Sequence, residues 1–458
     1  MRYFIFENCS SRTIFLWIIY FIIIACAVLP HGLKTPLSYS KGNLACTPEL
    51  TQSHFPCQSP VPLLPESTNA DIIRIYQLND QASVARAVKQ TVESGQWVKM
   101  QSPPGMQAIQ VFFYWISPTL PIAGIMALIT TALWASVFTQ IAWIVSPSRA
   151  TSLLAFVIPL FLLPIEEFNW LTRIGILNTE PLQISFFLLG LGSLYSAVSR
   201  TRYRLAAVAG VLFALSAYIR DQTDFVMSVV ALLFLLYFIW RMSRQTYRFS
   251  FSAAKHALTT SPWLAAIACC LLAYHGATFP YRIANHGHWV DSPNNPVWTL
   301  VWQKKENVSP ELQYVVADGG VVGCELDPEL CDYIYARRAA AGGEVFSSKQ
   351  LMRFTITSFL HHPLRWLNAK SRIFLKSWFD GSPLSIVVSV MLLALLGVFV
   401  QRRDDCHALL KFFLLSTIIG VTAPFLLVHI EPRYILLLRM SIIYSAIMAM
   451  SLKLHEEK

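Results

Sequence analysis

Apolar runs separated by short charged loops dominate this chain. Ten runs are read as membrane-spanning helices, at 13–29, 119–145, 151–165, 181–198, 205–219, 225–240, 263–279, 383–400, 408–428 and 434–452. Several are shorter than the ~20 residues that a straight span needs, so their boundaries are soft. The pattern predicts a mainly α-helical fold, a polytopic membrane helix bundle of about ten spans.

The composition also indicates a membrane protein. Of the 458 residues, 55% are hydrophobic and 14% are charged, whereas a soluble domain carries about a quarter charged residues. A secretory signal peptide is the alternative for the first run. Many spans follow it and no small-residue cleavage site is evident, so we expect a span. The formal charge of +10 is explained by cytoplasmic loops and anionic lipid, and no nucleic-acid partner is expected.

Lysine and arginine are distributed unevenly between the loops. Fifteen of them lie in 62 residues of inner segments, at 1–12, 146–150, 199–204, 241–262, 401–411 and 453–458. The short outer loops hold three, which are Arg173, Arg220 and Arg433. Positive charge accumulates on the cytoplasmic side of short loops. Both termini are therefore predicted to be cytoplasmic, in a multi-pass protein of the inner or plasma membrane.

This orientation divides the chain into five parts. They are the N-terminus with the first span (1–29), a first extracytoplasmic loop with membrane-surface helices (30–118), spans two to seven (119–279), a large mixed extracytoplasmic loop (280–382) and spans eight to ten (383–458).

The second outer loop ends in a basic amphipathic run from Leu364 to Trp378. Its cations are Arg365, Lys370, Arg372 and Lys376, interleaved with apolar residues. The plain interpretation is an interfacial helix that anchors the loop. The more specific interpretation is a helix that also binds a lipid phosphate. We favour the plain interpretation, because basic faces are common on interfacial helices.

Four cysteines fall in the two outer loops as close pairs. Cys46 and Cys57 share the first loop, and Cys324 and Cys331 share the second. The extracytoplasmic side is oxidising, so the spacing predicts two short-range disulfides, with four free thiols as the alternative. No Cys/His spacing is typical of zinc.

The most informative outer stretch runs from Leu78 to Tyr114. An acidic residue, Asp80, precedes a predicted helix that ends at Gly95. Valines recur on one face of that helix, at Val84, Val88 and Val92. Trp97 follows, and then a stiff Ser-Pro-Pro-Gly turn at 102–105, where two fixed φ angles direct the aromatic run after it. A carboxylate on a short helix beside a membrane suits chemistry at a lipid headgroup.

Ionisable residues cluster at the outer ends of the predicted spans. They are Glu166, Glu167, Arg173, Glu180, Arg220, Asp221, Asp224, His429, Glu431 and Arg433. A single interfacial charge costs little, because it reaches headgroups and water. This low cost explains a single residue better than it explains why all ten lie at one predicted membrane face. Arg439 lies inside the last span, where a charge normally faces the bundle interior, and it is a candidate for lining the same cavity.

Four motifs, in order along the chain, resemble the GT-C glycosyltransferases. The most similar are the protein mannosyltransferase-like family 39 and the aminoarabinose transferase-like enzymes. The motifs are Asp80-Gln81 with Gly95-x-Trp97 and Pro103-Pro104, then Glu180-Pro181, then Gly210 to Arg220, and finally Glu431-Pro432-Arg433-Tyr434. The chain departs from the family pattern at Gln81 for Glu, Val84 for Tyr, and Ser102 and Gly105 around the prolines.

This resemblance implies a membrane glycosyltransferase that moves a hexosyl or pentosyl group from a polyprenyl-phosphate sugar. The acceptor is a hydroxyl of a glycan, lipid or protein at the extracytoplasmic face. Asp80 is the expected general base and Glu180 the second acidic residue, which orients the acceptor or, with Asp80, holds a divalent metal. The other expected substrate and lipid-phosphate contacts are Arg173, Arg220, His429, Glu431, Arg433 and Tyr434. One base without a nucleophilic carboxylate predicts inversion at the anomeric carbon.

Three other functions remain as alternatives. A flippase or transporter of lipid-linked sugars needs polar residues near mid-bilayer and repeated halves, and apart from Arg439 the sequence has little of either. An O-antigen ligase or polymerase-type enzyme lacks an acidic first loop. A non-catalytic scaffold is the third alternative.

The orientation is tested by reporter fusions at Ser199 and Gly320. We expect a cytoplasmic signal at Ser199 and an extracytoplasmic one at Gly320, because lysine and arginine concentrate in the loops around Ser199. The reverse result at both sites would scatter the motifs over two faces and overturn the assignment of one site.

Overall fold

The computed structural model describes most of the predicted membrane part and the second half of the large outer loop. The described residues are 11–33, 38–40, 43–45, 87–98, 104–117, 122–145, 179–245, 258–284, 296–304, 322–343, 345–379, 383–401, 404–427 and 432–456. Almost all of them are helical. Within these ranges, the strands are β1 (Ser38–Ser40) and β2 (Asn43–Ala45), which pair antiparallel with Tyr39 opposite Leu44.

Helices account for the rest of the regular structure. In chain order they are α1 (Ser11–Leu33), α2 (87–94), α3 (Gly105–Ile116), α4 (Ile122–Val145), α5 (Thr179–Ser199), α6 (Tyr203–Ile219), α7 (Gln222–Gln245), α8 (Pro262–Ala284), α9 (Pro296–Val301), α10 (Gly323–Leu326), α11 (Pro328–Ala341), α12 (Ser348–His361), α13 (Pro363–Trp378), α14 (Pro383–Gln401), α15 (Asp405–Leu427) and α16 (Pro432–Glu456).

Helices occupy nine of the ten predicted spans, and the remaining one, 151–165, lies outside the described residues. Five of the described helices, α4, α5, α7, α8 and α15, are long and apolar enough to cross a membrane. The apolar parts of α1, α6, α14 and α16 are shorter. A mainly α-helical membrane bundle is therefore confirmed, whereas the number of spans stays a prediction.

The bundle packs around α5 and α6. Helix α6 lies against both α5 and α8, α7 lies against α15, and α14 lies against α16. Gly210 permits the close approach of α6 to α8, because a Cβ at this position would overlap the backbone of α8 at the Cys270 carbonyl. Small residues have this role in membrane helices, where packing rather than the hydrophobic effect holds helices together.

The second outer segment has its own small core. Trp302 and Trp366 are fully buried there, and Cys324 and Cys331 form the predicted disulfide. Every element described between 296 and 379 is a helix, so the expected mixture of strands and helices is not found in those residues. The other predicted pair, Cys46 and Cys57, lies outside the described part of the chain.

The predicted interfacial helix is present as α13, but one of its cations is placed differently. Lys370 belongs to the buried face and is 2% exposed, so its assignment to the outward basic face is wrong. Its Nζ lies 5.7 Å from the centre of the Trp366 ring, and burial lowers the pKa of Lys370 to about 7. The face of α13 that packs inward has an aromatic ring and core residues with which the long lysine stem packs.

The close contact between α6 and α8 is tested by Gly210→Ala. We expect a loss of about 1–3 kcal/mol of stability, since the added methyl group forces two helix backbones apart. Gly276→Ala on α8 is the matched control, because a Cβ there meets nothing within 4 Å. Thermal unfolding of both variants in the same detergent makes the comparison. Equal stability of the two variants would contradict the packing described here.

Candidate functional site

Glu180 is the only predicted acidic catalytic residue that the structure describes, and it lies in the first turn of α5. Its side chain is 3% exposed. The N-terminus of a helix carries partial positive charge, which favours a carboxylate at this position. A buried carboxylate still needs a specific partner, because transfer out of water costs far more than the helix dipole returns.

Arg220 is that partner. It follows the last residue of α6, where the backbone becomes extended, and its Nη1 donates to Glu180 Oε1 in an ion pair. Thr179 bonds to both members of the pair. Its hydroxyl donates to Glu180 Oε2 at 3.3 Å and accepts from Arg220 Nη1 at 3.2 Å. The beginning of α5 and the end of α6 are thus joined by one polar unit.

A buried polar triad lies one turn deeper and connects α5, α6 and α7. The Ser216 hydroxyl donates to the Gln183 carbonyl at 2.8 Å and lies 2.7 Å from Thr223 Oγ1. Gln183 Nε2 donates to the same Thr223 oxygen at 3.2 Å. Gln183 Oε1 is buried and has no hydrogen-bond partner within the described residues. This triad keeps the three helix ends in register beneath the ion pair.

A second ion pair lies at the beginning of α7. Arg282 Nη2, near the end of α8, donates to Asp224 Oδ1 at 2.8 Å. The Tyr274 hydroxyl donates to the same carboxylate oxygen, and Arg282 Nη1 lies 3.1 Å from His275 Nδ1. Two cationic and two acidic side chains therefore alternate across the ends of four helices. We call these seven residues the polar layer: Thr179, Glu180, Arg220, Asp224, Tyr274, His275 and Arg282.

Helices α2 and α3, the described parts of the Leu78–Tyr114 stretch, pack beside the Glu180–Arg220 pair. Helix α2 ends at Gly95, whose positive φ of 67° is the left-handed stop expected from the sequence. An apolar cluster unites α2 and α3 with the ends of α4, α5 and α6, through Val88, Met106, Tyr114, Met126, Leu182 and Ile219. Gly105 starts α3 against the Tyr218 carbonyl, two residues before Arg220, and has no room for a Cβ.

Polar contacts also hold the inner side of this stretch. Gln107 Nε2 donates to the Val98 carbonyl at 2.9 Å and to Thr91 Oγ1 at 3.2 Å. These contacts tie α3 to α2, and they turn the large apolar side chains of α3 outward. Trp115 is 75% exposed, and Phe112 and Ile116 are also exposed. A helix with this arrangement suits a membrane surface, as the sequence predicts for the first loop.

Arg439 is buried inside the bundle as expected, but its contacts are not those of a cavity lining. It is 1% exposed, and its Nη2 donates to the carbonyls of Ser377 at 2.9 Å and Trp378 at 2.5 Å. These carbonyls end α13, where a cation satisfies orphan acceptors and suits the helix dipole. Arg439 therefore ties the interfacial helix to the last helix of the bundle.

The described acidic residues do not form a metal site. Glu180 is occupied by Arg220 and Asp224 by Arg282. Burial raises the pKa of Asp221, although the positive charge of Arg220 opposes the rise. No group of three or more His, Cys, Asp or Glu side chains with suitable geometry occurs in the searched, described part of the chain. We derive no step that uses a metal.

The structure describes only some of the remaining predicted site residues. Asp80, Arg173, His429 and Glu431 lie outside the described residues. The backbone of Arg433 and Tyr434 lies in the first turn of α16. Of the predicted set, the structure therefore brings Glu180 and Arg220 together.

Sequence reasoning missed Tyr274, His275 and Arg282. A signal for two of them was present, since His275 and Arg282 are seven residues apart and so share one face of α8. An arginine two turns beyond a histidine at the end of an apolar helix calls for an acidic partner nearby, and Asp224 was available at the beginning of the preceding helix.

The chain was also compared with known proteins. No protein-family model matches it, and no curated protein matches it.

The coupling within the Glu180–Arg220 pair is tested by a double-mutant cycle. Glu180→Gln and Arg220→Gln should each lose about 3–5 kcal/mol of stability, because each leaves a buried charge without its counter-ion. The double variant should lose much less than the sum. The control is Glu93→Gln, which breaks an exposed pair of 3.8 Å with Lys89 and should cost under about 1 kcal/mol. Additive losses at 180 and 220 would show that the two residues do not act together.

Proposed function

We propose that this protein is an integral-membrane glycosyltransferase of GT-C type. It transfers a sugar from a polyprenyl-phosphate donor to an acceptor hydroxyl at the extracytoplasmic face, with inversion. One observation supports most of the proposal: α2 and α3, the described helices that follow Asp80 in the chain, pack against the ends of α5 and α6, beside the Glu180–Arg220 pair. The proposal therefore puts Asp80 in the same region as Glu180, about a hundred residues further along the chain.

The proposed chemistry needs a base and a way to stabilise the leaving phosphate. Asp80 takes the proton of the acceptor hydroxyl while that oxygen attacks the anomeric carbon. The bond between the anomeric carbon and the phosphate oxygen breaks at the same time, and polyprenyl phosphate leaves with the electron pair. Attack from the side opposite the leaving group inverts the configuration.

Because Glu180 and Arg220 form an ion pair, their roles in this proposal differ from those of two separate charged side chains. Arg220 holds the Glu180 carboxylate charged and fixed, so Arg220 is a positioning residue in this proposal. Oε2 of Glu180 accepts from the Thr179 hydroxyl, and in this proposal the fixed carboxylate orients the acceptor. Arg433 and Arg173 then remain as the guanidinium groups that face the phosphate.

The proposal includes the full predicted topology. It has ten spans, cytoplasmic termini and a polar layer at the extracytoplasmic face. Contacts between helix ends support this arrangement: the beginnings of α5 and α7 meet the ends of α6 and α8, as alternating spans require. Gly420, near the end of α15, likewise lies against Val226, near the beginning of α7.

The test is transfer by purified protein from a panel of radiolabelled polyprenyl-phosphate sugars. Asp80→Asn should slow transfer by roughly 10²–10⁴-fold, because an amide cannot accept the proton. Donor binding should change much less, since the phosphate contacts are elsewhere.

The control for Asp80 is Asp71→Asn in the same loop, outside the motif, and its effect should be mild. Asparagine caps a helix about as well as aspartate, so a purely structural role for Asp80 predicts a normal rate for Asp80→Asn. Thermal stability and monodispersity are measured on the same samples. A normal rate for Asp80→Asn, or failure of every donor with wild-type protein, would refute the proposal.

A further inference from the structure

Helices α12 and α13 present an outward face that the fold itself does not use. Their inner faces pack into the protein, through Leu351, Thr355, Ser358, Trp366, Lys370, Ser377 and Trp378. On the opposite side, Leu364 is 80% exposed and Leu360 is 68% exposed. Leucines exposed to this extent, side by side, are unusual on a surface that contacts only water.

The outward face of α13 is divided into two stripes. At 100° per residue, the exposed Leu364, Leu367 and Leu375 fall within about 80° of one another. The exposed Ser371 lies in the same sector and the exposed Asn368 at its border, so the leucines form most of this stripe. The exposed cations, Arg365, Arg372 and Lys376, form a second stripe roughly 100° from the first. An apolar stripe beside a cationic stripe matches a bilayer interface, with leucines at the acyl boundary and cations at the headgroups.

Helix α12 also combines exposed cations with exposed apolar residues. Of its exposed positions, Lys349, Arg353, Ile356 and Leu360 share one side of the helix. The stretch 348–379 contains six lysines and arginines and no acidic residue. With Lys370 buried, the other five lysines and arginines of this stretch all lie at exposed positions.

The two helices are fixed to each other and to the bundle. Trp366 Nε1 donates to Ser358 Oγ at 3.1 Å, which joins α13 to α12. At the other end, Trp378 packs in the core of the membrane bundle and its Nε1 donates to Ser389 Oγ at 3.0 Å. Arg439 binds the last carbonyls of α13. The surface is therefore continuous with the membrane part of the molecule.

We propose that the outward face of α12 and α13 binds the anionic phospholipid headgroups of the leaflet in which these helix ends lie. Charge complementarity and the continuity with the bundle both select this occupant. An acidic protein or polysaccharide would match the cations but would leave the leucine stripe in water. The proposal does not depend on glycosyl transfer.

The test measures lipid selectivity of the full-length chain in nanodiscs of phosphatidylcholine with 30% phosphatidylglycerol. Spin-labelled phosphatidylglycerol and spin-labelled phosphatidylcholine report the relative association of each lipid with the protein. The variant Arg353→Gln/Arg365→Gln/Arg372→Gln/Lys376→Gln should lower the selectivity for phosphatidylglycerol at least ~10-fold, since each cation near an anionic surface contributes measurably. Arg337→Gln, exposed on α11 outside the surface, is the control and should stay within about 2-fold of wild type.

Two further measurements keep the test decisive if the fourfold variant does not fold. Arg365→Gln alone should reduce selectivity in the same direction. Wild-type selectivity should fall when salt rises from 0.1 M to 1 M, because the screening length shrinks from about 10 Å to about 3 Å. Unchanged selectivity in the folded fourfold variant would overturn the proposal. So would a variant that loses binding to heparin, an acidic polysaccharide, while its lipid selectivity stays at the wild-type value.

Discussion

Arginines that are buried or partly buried and meet fixed oxygen acceptors hold the helix ends of this protein together. Arg220 meets Glu180, Arg282 meets Asp224, and Arg439 meets the last carbonyls of α13. In an apolar bundle a charge without such a partner costs several kcal/mol, so none of these pairs separates without penalty. Arg220 and Glu180 join the ends of α6 and α5 that lie opposite the short turn between these two helices, whereas Arg439 reaches α13 from a helix far along the chain. Together the three arginines fix which ends of the bundle meet.

Close backbone packing acts with these pairs rather than separately from them. Gly210 lets α6 approach α8, and this approach brings the end of α6 with Arg220 to the same side as the end of α8 with Arg282. Gly105 does the same for α3 at the Tyr218 carbonyl. The polar layer is therefore a consequence of helix packing that only small residues permit. Its rigidity suits a site that orients a substrate rather than one that opens and closes around it.

The interfacial helix α13 connects two cores of different character. Its first half packs on the disulfide-linked outer segment through Trp366, and its last turn packs in the membrane bundle through Trp378. Arg439 strengthens the second contact, because its guanidinium donates to the Trp378 carbonyl. The outward face of α13 between Trp366 and Trp378 is exposed, so its leucines are not part of the protein core. The same helix thus connects two cores on one side and presents the proposed lipid-binding surface on the other.

Local features of the sequence determined much of the architecture. The apolar runs predicted helices, Gly95 ended α2 as expected, and Cys324 and Cys331 paired across a short loop. These features follow from composition and backbone preference within a few residues, so no knowledge of distant contacts was required.

Only the tertiary structure decided which polar groups meet. Glu180 finds its arginine 40 residues away and Asp224 finds its own 58 residues away. Lys370 points inward while Leu364 points outward, the reverse of what a water-exposed amphipathic helix would show. In a membrane the outside is apolar too, so hydrophobicity does not tell which side of a helix faces the protein. The rotation of each helix is set by packing against all its neighbours, and that information is not contained in any single segment.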